Sequence, residues 1–470
     1  MATRTRSDIE SQLPTLRTEI RGEILLPDDE AYDVARSVWN GMIDRWPALI
    51  VQPTGTADVV AAVNFARESG IEIAVHGGGH NVAGYAVADD GLMLDLSAMN
   101  GVSVDREART VRVGAGATLG DVDHETQLFG LATPLGVVSE TGIAGLTLNG
   151  GYGHLSREYG LSVDNLLEVE IVTADGQVRT ANEHQHEDLF WALRGGGGNF
   201  GVVTAFEYDL HDVGPEVHQV FAWYHGEEAA TLLSRFREWT ESAPRSTAIL
   251  PFAATVPELD EFPAESWGEP AVAFLGCIRD DPDEAEAMMA SLTEGSDPIA
   301  DFSGPTQFEA LQTLLDEDYP DGLRYYWKST YLADLNEEVI DLMLRYNEAA
   351  PSPLSTVDIW WLGGAVADVP QDATAFWHRD KPFMLTFEAN WEDPEADEAN
   401  IEWAREGFAA FEELSVTGGR YGNFPGFAED PARLLFGENY DRLVDIKGQY
   451  DPENLFHLNQ NVSPRAEADS

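Results

Sequence analysis

The residues best suited to chemistry stand beside runs of glycine. An apolar run, Ile73-Ala74-Val75, leads into His76-Gly77-Gly78-Gly79-His80-Asn81, with Gly84 shortly after. Consecutive glycines weaken helix and strand alike, so their place at a strand end calls for positive φ or close approach of the backbone to something else. Successive backbone N–H groups in such a loop make a nest for an anion such as a pyrophosphate. A second series runs Thr141-Gly142-Ile143-Ala144-Gly145-Leu146-Thr147-Leu148-Asn149-Gly150-Gly151-Tyr152-Gly153, and a third Arg194-Gly195-Gly196-Gly197-Gly198-Asn199-Phe200-Gly201. None places G-x-G-x-x-G between a strand and a helix, so a Rossmann fold is not indicated. No lysine precedes Lys328, which excludes a Walker-type P-loop. Three glycine loops separated by apolar strands suit an elongated dinucleotide held largely by backbone. FAD fits that description better than NAD.

Short strands must present these loops. Segments 71–75, 111–113 and 168–173 read as strands, and Asp175-Gly176 turns the last of them into 177–181 as a hairpin. The third glycine run ends a helix starting at Asp188 and leads into a strand over 202–210. From 216 to 419 the texture changes to strands alternating with amphipathic helices, as in Leu232, Phe236 and Trp239 on one helix face. Strands at 325–331, 357–362 and 384–391 are expected to form a sheet, covered on one face by helices at 227–242, 337–349 and 397–414. The other face is then free to cover something else. Within the last strand, alternation puts Thr386, Glu388 and Asn390 on one face and Phe387, Ala389 and Trp391 on the other. A carboxylate between apolar neighbours, raised in pKa by burial, could serve as a base, which makes Glu388 the candidate. The fold class expected is α+β.

The motifs together resemble the berberine bridge enzyme-like family of the vanillyl-alcohol-oxidase, or PCMH-type, flavoproteins, in its bacterial 6-hydroxy-D-nicotine oxidase-like branch. The resemblance rests on Gly77-Gly78-Gly79-His80-Asn81, on Gly145 to Gly153, on Asp188-Leu189-Phe190-Trp191-Ala192-Leu193-Arg194 continuing through the third glycine run to Thr204, and on Tyr450-Asp451-Pro452-Glu453-Asn454-Leu455-Phe456. It implies an FAD-binding domain over 1–215 with its PCMH-type core at about 42–214. A substrate domain with an antiparallel sheet would follow at 216–419, and a segment over 420–470 would complete the FAD domain. It implies a covalent bond from His80 to the flavin 8α-methyl carbon, which needs a neutral imidazole as nucleophile. It implies cofactor contacts at His76, Gly77, Gly78, Gly79, Asn81, Gly84, Thr141, Gly142, Gly145, Gly153, Val203, Asn459 and Asn461. It also brings Tyr152 and Tyr421 to the flavin as catalytic or substrate-contacting groups beside Glu388.

The chain departs from the family pattern in several places. His76 replaces the usual Arg or Lys, Val138 stands where doubly linked relatives carry cysteine, and Thr141 takes the position that gates oxygen. The C-terminal motif reads Tyr421-Gly422-Asn423-Phe424, its last aromatic lacking a hydroxyl. One covalent bond through His80 is expected, not two. The activity implied is oxidation of a small CH–OH or CH–NH substrate, a heterocyclic amine or alcohol or a sugar, by hydride transfer to flavin N5, with O2 or another acceptor. An NADPH-dependent FAD reductase of related fold and a non-catalytic flavin-binding protein remain as alternatives, and a homodimer is compatible with the resemblance.

Composition bounds the rest. The 470 residues suit two or three domains. Charged residues make up an ordinary 24%, yet 83 acidic against 28 basic residues leave a net charge of −55, and only three residues are lysine. Phosphate neutralisation needs clustered positive charge, so nucleic-acid binding is excluded, and anionic lipid is disfavoured. Cys277 is the single cysteine, which rules out an intrachain disulfide and a cysteine-built metal site, and the histidines show no metal-ligand spacing. No run approaches the roughly 18 apolar residues of a membrane span. A cytoplasmic protein of a salt-accumulating halophile is expected, because such a surface repels itself until the Debye length shrinks to about 3 Å near 1 M salt. Dialysis into low salt is therefore expected to lower the melting temperature and the activity; an unchanged melting curve there would contradict the assignment.

Overall fold

Short, mostly apolar strands of three or four residues build the first sheet. In the computed structural model, which describes residues 6–465 apart from 415, 428, 430 and 431, its strand order is Glu23–Leu25, Leu49–Gln52, Leu92–Asp95, Ile73–His76. The first pair is antiparallel and the others are parallel. Leu49, Ile50, Val51, Leu92, Met93 and Leu94 are completely buried, as parallel strands covered on both faces should be. Helix Thr56–Ser69 connects two of these strands and stops at Gly70, whose φ of 66° no β-branched residue would accept. Ligands in parallel sheets gather at the carboxyl ends of strands. There Ile73–His76 delivers the first glycine run.

The second sheet is wholly antiparallel, in the order Val102–Asp105, Thr110–Gly114, Gly201–Asp209, Leu166–Thr173, Val178–Asn182. It includes the hairpin at Asp175-Gly176, with Gly176 at φ 75°. Helix Glu187–Leu193 leads through the third glycine run into Gly201–Asp209.

Every described strand after residue 215 belongs to a third, nine-stranded antiparallel sheet. Its path runs Ala300–Asp301, Glu216–His225, Pro270–Ile278, Thr247–Thr255, Thr356–Trp361, Phe383–Trp391, Arg324–Leu332, Thr417–Gly418, and Gly304–Gln307 pairs alongside Glu216–His225. Helices Gly226–Thr240, Glu337–Glu348 and Asp397–Glu412 cover one face, packing Leu232, Phe236, Met343 and Phe411 on Phe274, Ile359, Leu385 and Phe387. Trp360 and Trp361 divide between the faces: Trp361 joins the helix-side core and Trp360 the opposite one. Cys277 is buried on Pro270–Ile278, in a core strand as its apolar setting predicts.

Polar side chains fasten this sheet to the preceding chain. Arg157 donates to the carbonyls of Thr247 (2.8 Å) and Leu362 (2.6 Å) and lies over the Trp361 ring. Buried Arg379 grips Asp164 with both terminal nitrogens, at 2.9 and 2.6 Å. The C-terminal helix Tyr440–Tyr450 folds back on the third glycine run through Lys447, which donates to Asn199 O (2.7 Å), Phe456 O (2.8 Å) and Asp451 Oδ2 (2.6 Å). Both members of that ion pair are fully buried. No helix among the described residues is long and apolar enough to cross a membrane.

Removing one partner of a buried ion pair strands the other charge. Lys447→Met is expected to cost about 3–5 kcal/mol in urea unfolding, because it leaves the buried Asp451 charge with backbone N–H donors but no counter-ion. A loss below about 1 kcal/mol, the range of exposed pairs, would contradict that account.

Candidate active site

The first two glycine segments touch backbone to backbone. A Cβ placed on Gly78 would lie 2.4 Å from the nitrogen of Gly142, and one on Gly142 equally close to the nitrogen of Gly78. Gly79 turns at φ +73°, and its missing Cβ leaves room for the His76 ring, 2.6 Å from where that carbon would sit. The joined loops form one end of a cavity of about 950 Å3, which continues to the uncovered face of the third sheet. Gly145 and Gly198 line this cavity, yet a Cβ on either would meet no protein atom within 4 Å. Their bareness leaves space for a ligand rather than for a neighbour.

Of the predicted cofactor contacts, Gly77, Gly78, Gly79, His80, Asn81, Thr141, Gly142, Gly145, Val203 and Asn459 line the cavity. His80 stacks on Trp39, with centroids 5.1 Å apart. Burial, with His76 adding to it, brings its pKa down to about 4, so the imidazole is neutral at physiological pH. Asn459 donates to Gly198 O at 3.1 Å while its own buried Oδ1 has no partner.

Four predicted contacts lie off the cavity lining, for reasons of packing. His76 turns toward Asp95, 3.3 Å away. Burial opposes ionisation of Asp95, but bonds from His76, Gln52 and the Ser97 N–H hold it down at about 2. Gly84 is small because Ile43 packs on it, and Gly153 because the carbonyl of Leu135 does. Asn461 bonds Ser463 at 3.3 Å.

The predicted catalytic side chains all line the cavity. Tyr152, pushed up by burial, donates its hydroxyl proton to the Trp361 carbonyl. The Tyr421 hydroxyl accepts from Asn423 Nδ2 (2.9 Å) and from the N–H groups of Gly151 and Tyr152, donors that favour a phenolate, although burial still carries its pKa up to about 12.

Glu388 accepts from Tyr319 (2.8 Å) and Thr386 (3.2 Å) and faces a second carboxyl, Asp358, on the adjacent strand. The two are 2% and 4% exposed, too little for solvent to separate their charges. Burial and the neighbouring Glu388 charge drive Asp358 well above the carboxylate range, so Asp358 keeps its proton and donates it to Glu388. Burial also raises Glu388, against its three donors Tyr319, Asp358 and Thr386. The pair carries one negative charge between two carboxyls. Asp358 was missed from sequence, although Val357-Asp358-Ile359 shows the same carboxylate between apolar neighbours that singled out Glu388.

Two family models match this chain: an FAD binding domain over residues 47–182, and a berberine and berberine-like segment over 420–463. An (R)-6-hydroxynicotine oxidase from Paenarthrobacter nicotinovorans is 32% identical over 463 residues, covering 95% of this chain and 97% of that one. An FAD-linked oxidoreductase of Dictyostelium discoideum is 31% identical over 431 residues, 91% of each chain. The solved 6-hydroxy-D-nicotine oxidase from Arthrobacter nicotinovorans superposes with a TM-score of 0.86 at 30% identity, over 95% of this chain and 98% of that one.

The chain belongs to the berberine bridge enzyme-like family of FAD-linked oxidoreductases.

As a family member it is an FAD-dependent oxidoreductase of α+β fold. Its residues suit the cofactor: two bare glycines, a neutral histidine and an unsatisfied asparagine oxygen meet in one cavity. No Lys or Arg lines that cavity among the described residues, so the pyrophosphate would be held by backbone N–H groups of the glycine loops.

The two kinds of glycine separate by experiment. In a His80→Ala background, where FAD is not covalently held and can be removed, Gly145→Val is expected to leave the unfolding curve of the FAD-free protein almost unchanged while FAD affinity falls about tenfold, its new atoms costing about 1–3 kcal/mol against the cofactor. Gly78→Ala is expected to destabilise the protein itself. Equal stability losses in both would contradict the distinction.

Proposed function

We propose that the chain oxidises a small CH–OH or CH–NH substrate held between the flavin and the open face of the third sheet, with FAD attached through His80 alone. The observation that carries this reading is the placement of His80, Tyr421 and the Glu388–Asp358 pair in a single cavity. FAD bound there supplies a hydride acceptor at N5 and a methyl carbon for the histidine bond. The residues supply the rest. His80, kept neutral by burial, has the free electron pair that alkylation requires. Val138 lines the cavity where a cysteinyl bond would form, and Cys277 lies outside the lining. Glu388 takes the substrate proton, with Asp358 and Tyr319 holding its carboxylate in place by donating to it. Tyr421, ringed by donors, orients the same O–H or N–H. Reoxidation of the bound flavin would need O2 or another small acceptor, and an oxygen electrode separates the two.

Two measurements test this. Acid-precipitated protein is expected to keep its yellow chromophore in the pellet, and His80→Ala to release it to the supernatant; a colourless wild-type pellet would overturn the covalent bond. Glu388→Gln is expected to lower kcat/KM by about 10²–10⁴-fold, the range of a lost general base. Because the raised pKa of Glu388 must be exceeded before it can accept a proton, the wild-type rate is expected to fall with decreasing pH at a point above the ordinary glutamate value of about 4.3. An unchanged acid limb in Glu388→Gln would assign the base elsewhere.

A further inference from the structure

The open face of the third sheet carries more than the carboxyl pair. Register places Trp223 opposite Ala273, Ala273 opposite Phe252, Phe252 opposite Asp358, and Asp358 opposite Thr386. Residues opposite one another in antiparallel strands point to the same face, so these five form one row across the sheet. Three strand spacings of about 4.8 Å put Trp223 about 14 Å from Asp358. Along that row a small residue separates two rings: Trp223 and Phe252 meet edge to face across Ala273, with centroids 5.4 Å apart.

Phe262 closes on Trp223 at 5.2 Å, and Phe302 on Phe262 at 5.7 Å. Trp223, Phe252, Phe262, Phe302 and Phe221 all line the same cavity as Glu388. The track is therefore apolar at one end and anionic at the other.

Three buried polar atoms in this track lack partners. Asp358, 4% exposed, has a buried Oδ1 with no hydrogen bond, and the buried indole N–H groups of Trp360 and Trp223 have none either. A buried acceptor without a partner inside a ligand cavity marks a place where a ligand can donate, and of the three it is the Asp358 oxygen that an ammonium would satisfy. Around the lining, Glu261, Glu317, Asp318 and Glu392 add acid, and no Lys or Arg is present among the described residues. A sugar would need many polar side chains spread along its length. Between Trp223 and Asp358 this row offers only Ala273 and Phe252.

We infer that the cavity recognises an elongated amphipathic amine, its ammonium held by the Asp358–Glu388 pair and its aromatic or alkyl tail lying over Phe252 to end on Trp223. The inference rests on the oxidoreductase reading of the same cavity and names the substrate class for it. Asp358 and Glu388 fix the charged end; Trp223 is a specificity residue at the far end that touches no reacting atom.

The test is a length series. Phenylalkylamines from benzylamine to 6-phenylhexylamine, and the matching alcohols, are titrated anaerobically by calorimetry into the FAD-loaded protein in molar salt. Each amine is expected to bind at least tenfold more tightly than its alcohol. Affinity is expected to climb by about fourfold per methylene until the chain spans the track, as about 0.8 kcal/mol per buried CH2 requires. The double variant Asp358→Asn, Glu388→Gln should lose the preference for amines. Trp223→Ala should flatten the climb, and Trp223→Phe should restore it, which separates recognition from a folding defect. Equal binding of amines and alcohols, a flat series, or a full climb in Trp223→Ala would overturn the inference. Flavin bleaching by sugars but by no amine would overturn it and leave the oxidoreductase reading standing. The expected length series without bleaching by any compound would support it and count against the oxidation.

Discussion

The contact between Gly78 and Gly142 governs the geometry of the site. Each glycine occupies the space in which the other's side chain would stand, and 2.4 Å from a hypothetical Cβ to a backbone nitrogen leaves no room for relaxation. This contact joins the carboxyl end of a parallel strand to the start of helix Ile143–Leu148. His80 follows two residues after Gly78, and Gly145 and Tyr152 follow Gly142. The covalent candidate, the bare cradle and one active-site tyrosine are thus referred to a single point. A loop contact made by side chains would let them drift with rotamer changes; a contact of backbones does not.

The third sheet answers that fixed point with a surface of two characters. Its helix-covered face is an ordinary apolar core, and the opposite face alternates into a cavity where rings and carboxyls stand on the same row. Buried carboxyls are tolerated there because they satisfy one another. Asp358 gives its proton to Glu388, Tyr319 and Thr386 donate to the remaining lone pairs, and only one charge has to be buried. Removing Asp358 would leave Glu388 short of a donor, so the pair is a unit in stability as well as in titration.

Much of this was legible in the sequence because it depends on short-range rules. The glycine runs, the Asp175-Gly176 hairpin, the three covering helices and the inward face of 383–391 all follow from local pattern, and the structure has each of them. What could not be read depends on partners distant in the chain. Gly84 and Gly153 looked like cofactor contacts, yet they are small to admit Ile43 and the Leu135 carbonyl. His76 carries the same chemistry as His80, and only the position of Asp95, on the adjacent strand, turns it away from the cavity. Asp358 matters through Glu388, thirty residues later, and through register that one strand's alternation does not contain.

The net charge of −55 and the lack of Lys and Arg in the cavity lining among the described residues fall under the same electrostatics. A lysine–phosphate contact at a solvent-accessible loop weakens as salt rises, since at about 1 M the Debye length is only about 3 Å. A nest of backbone N–H groups binds by short, directed hydrogen bonds inside a dry loop and loses less. In concentrated salt a chain of this charge would gain little from an Arg or Lys before the first glycine run. His76, paired with Asp95 beneath the loop, serves it better as a brace for Gly79 than it would as a charge for the pyrophosphate. In such salt, having His76 rather than a permanent cation there would cost the cofactor site little.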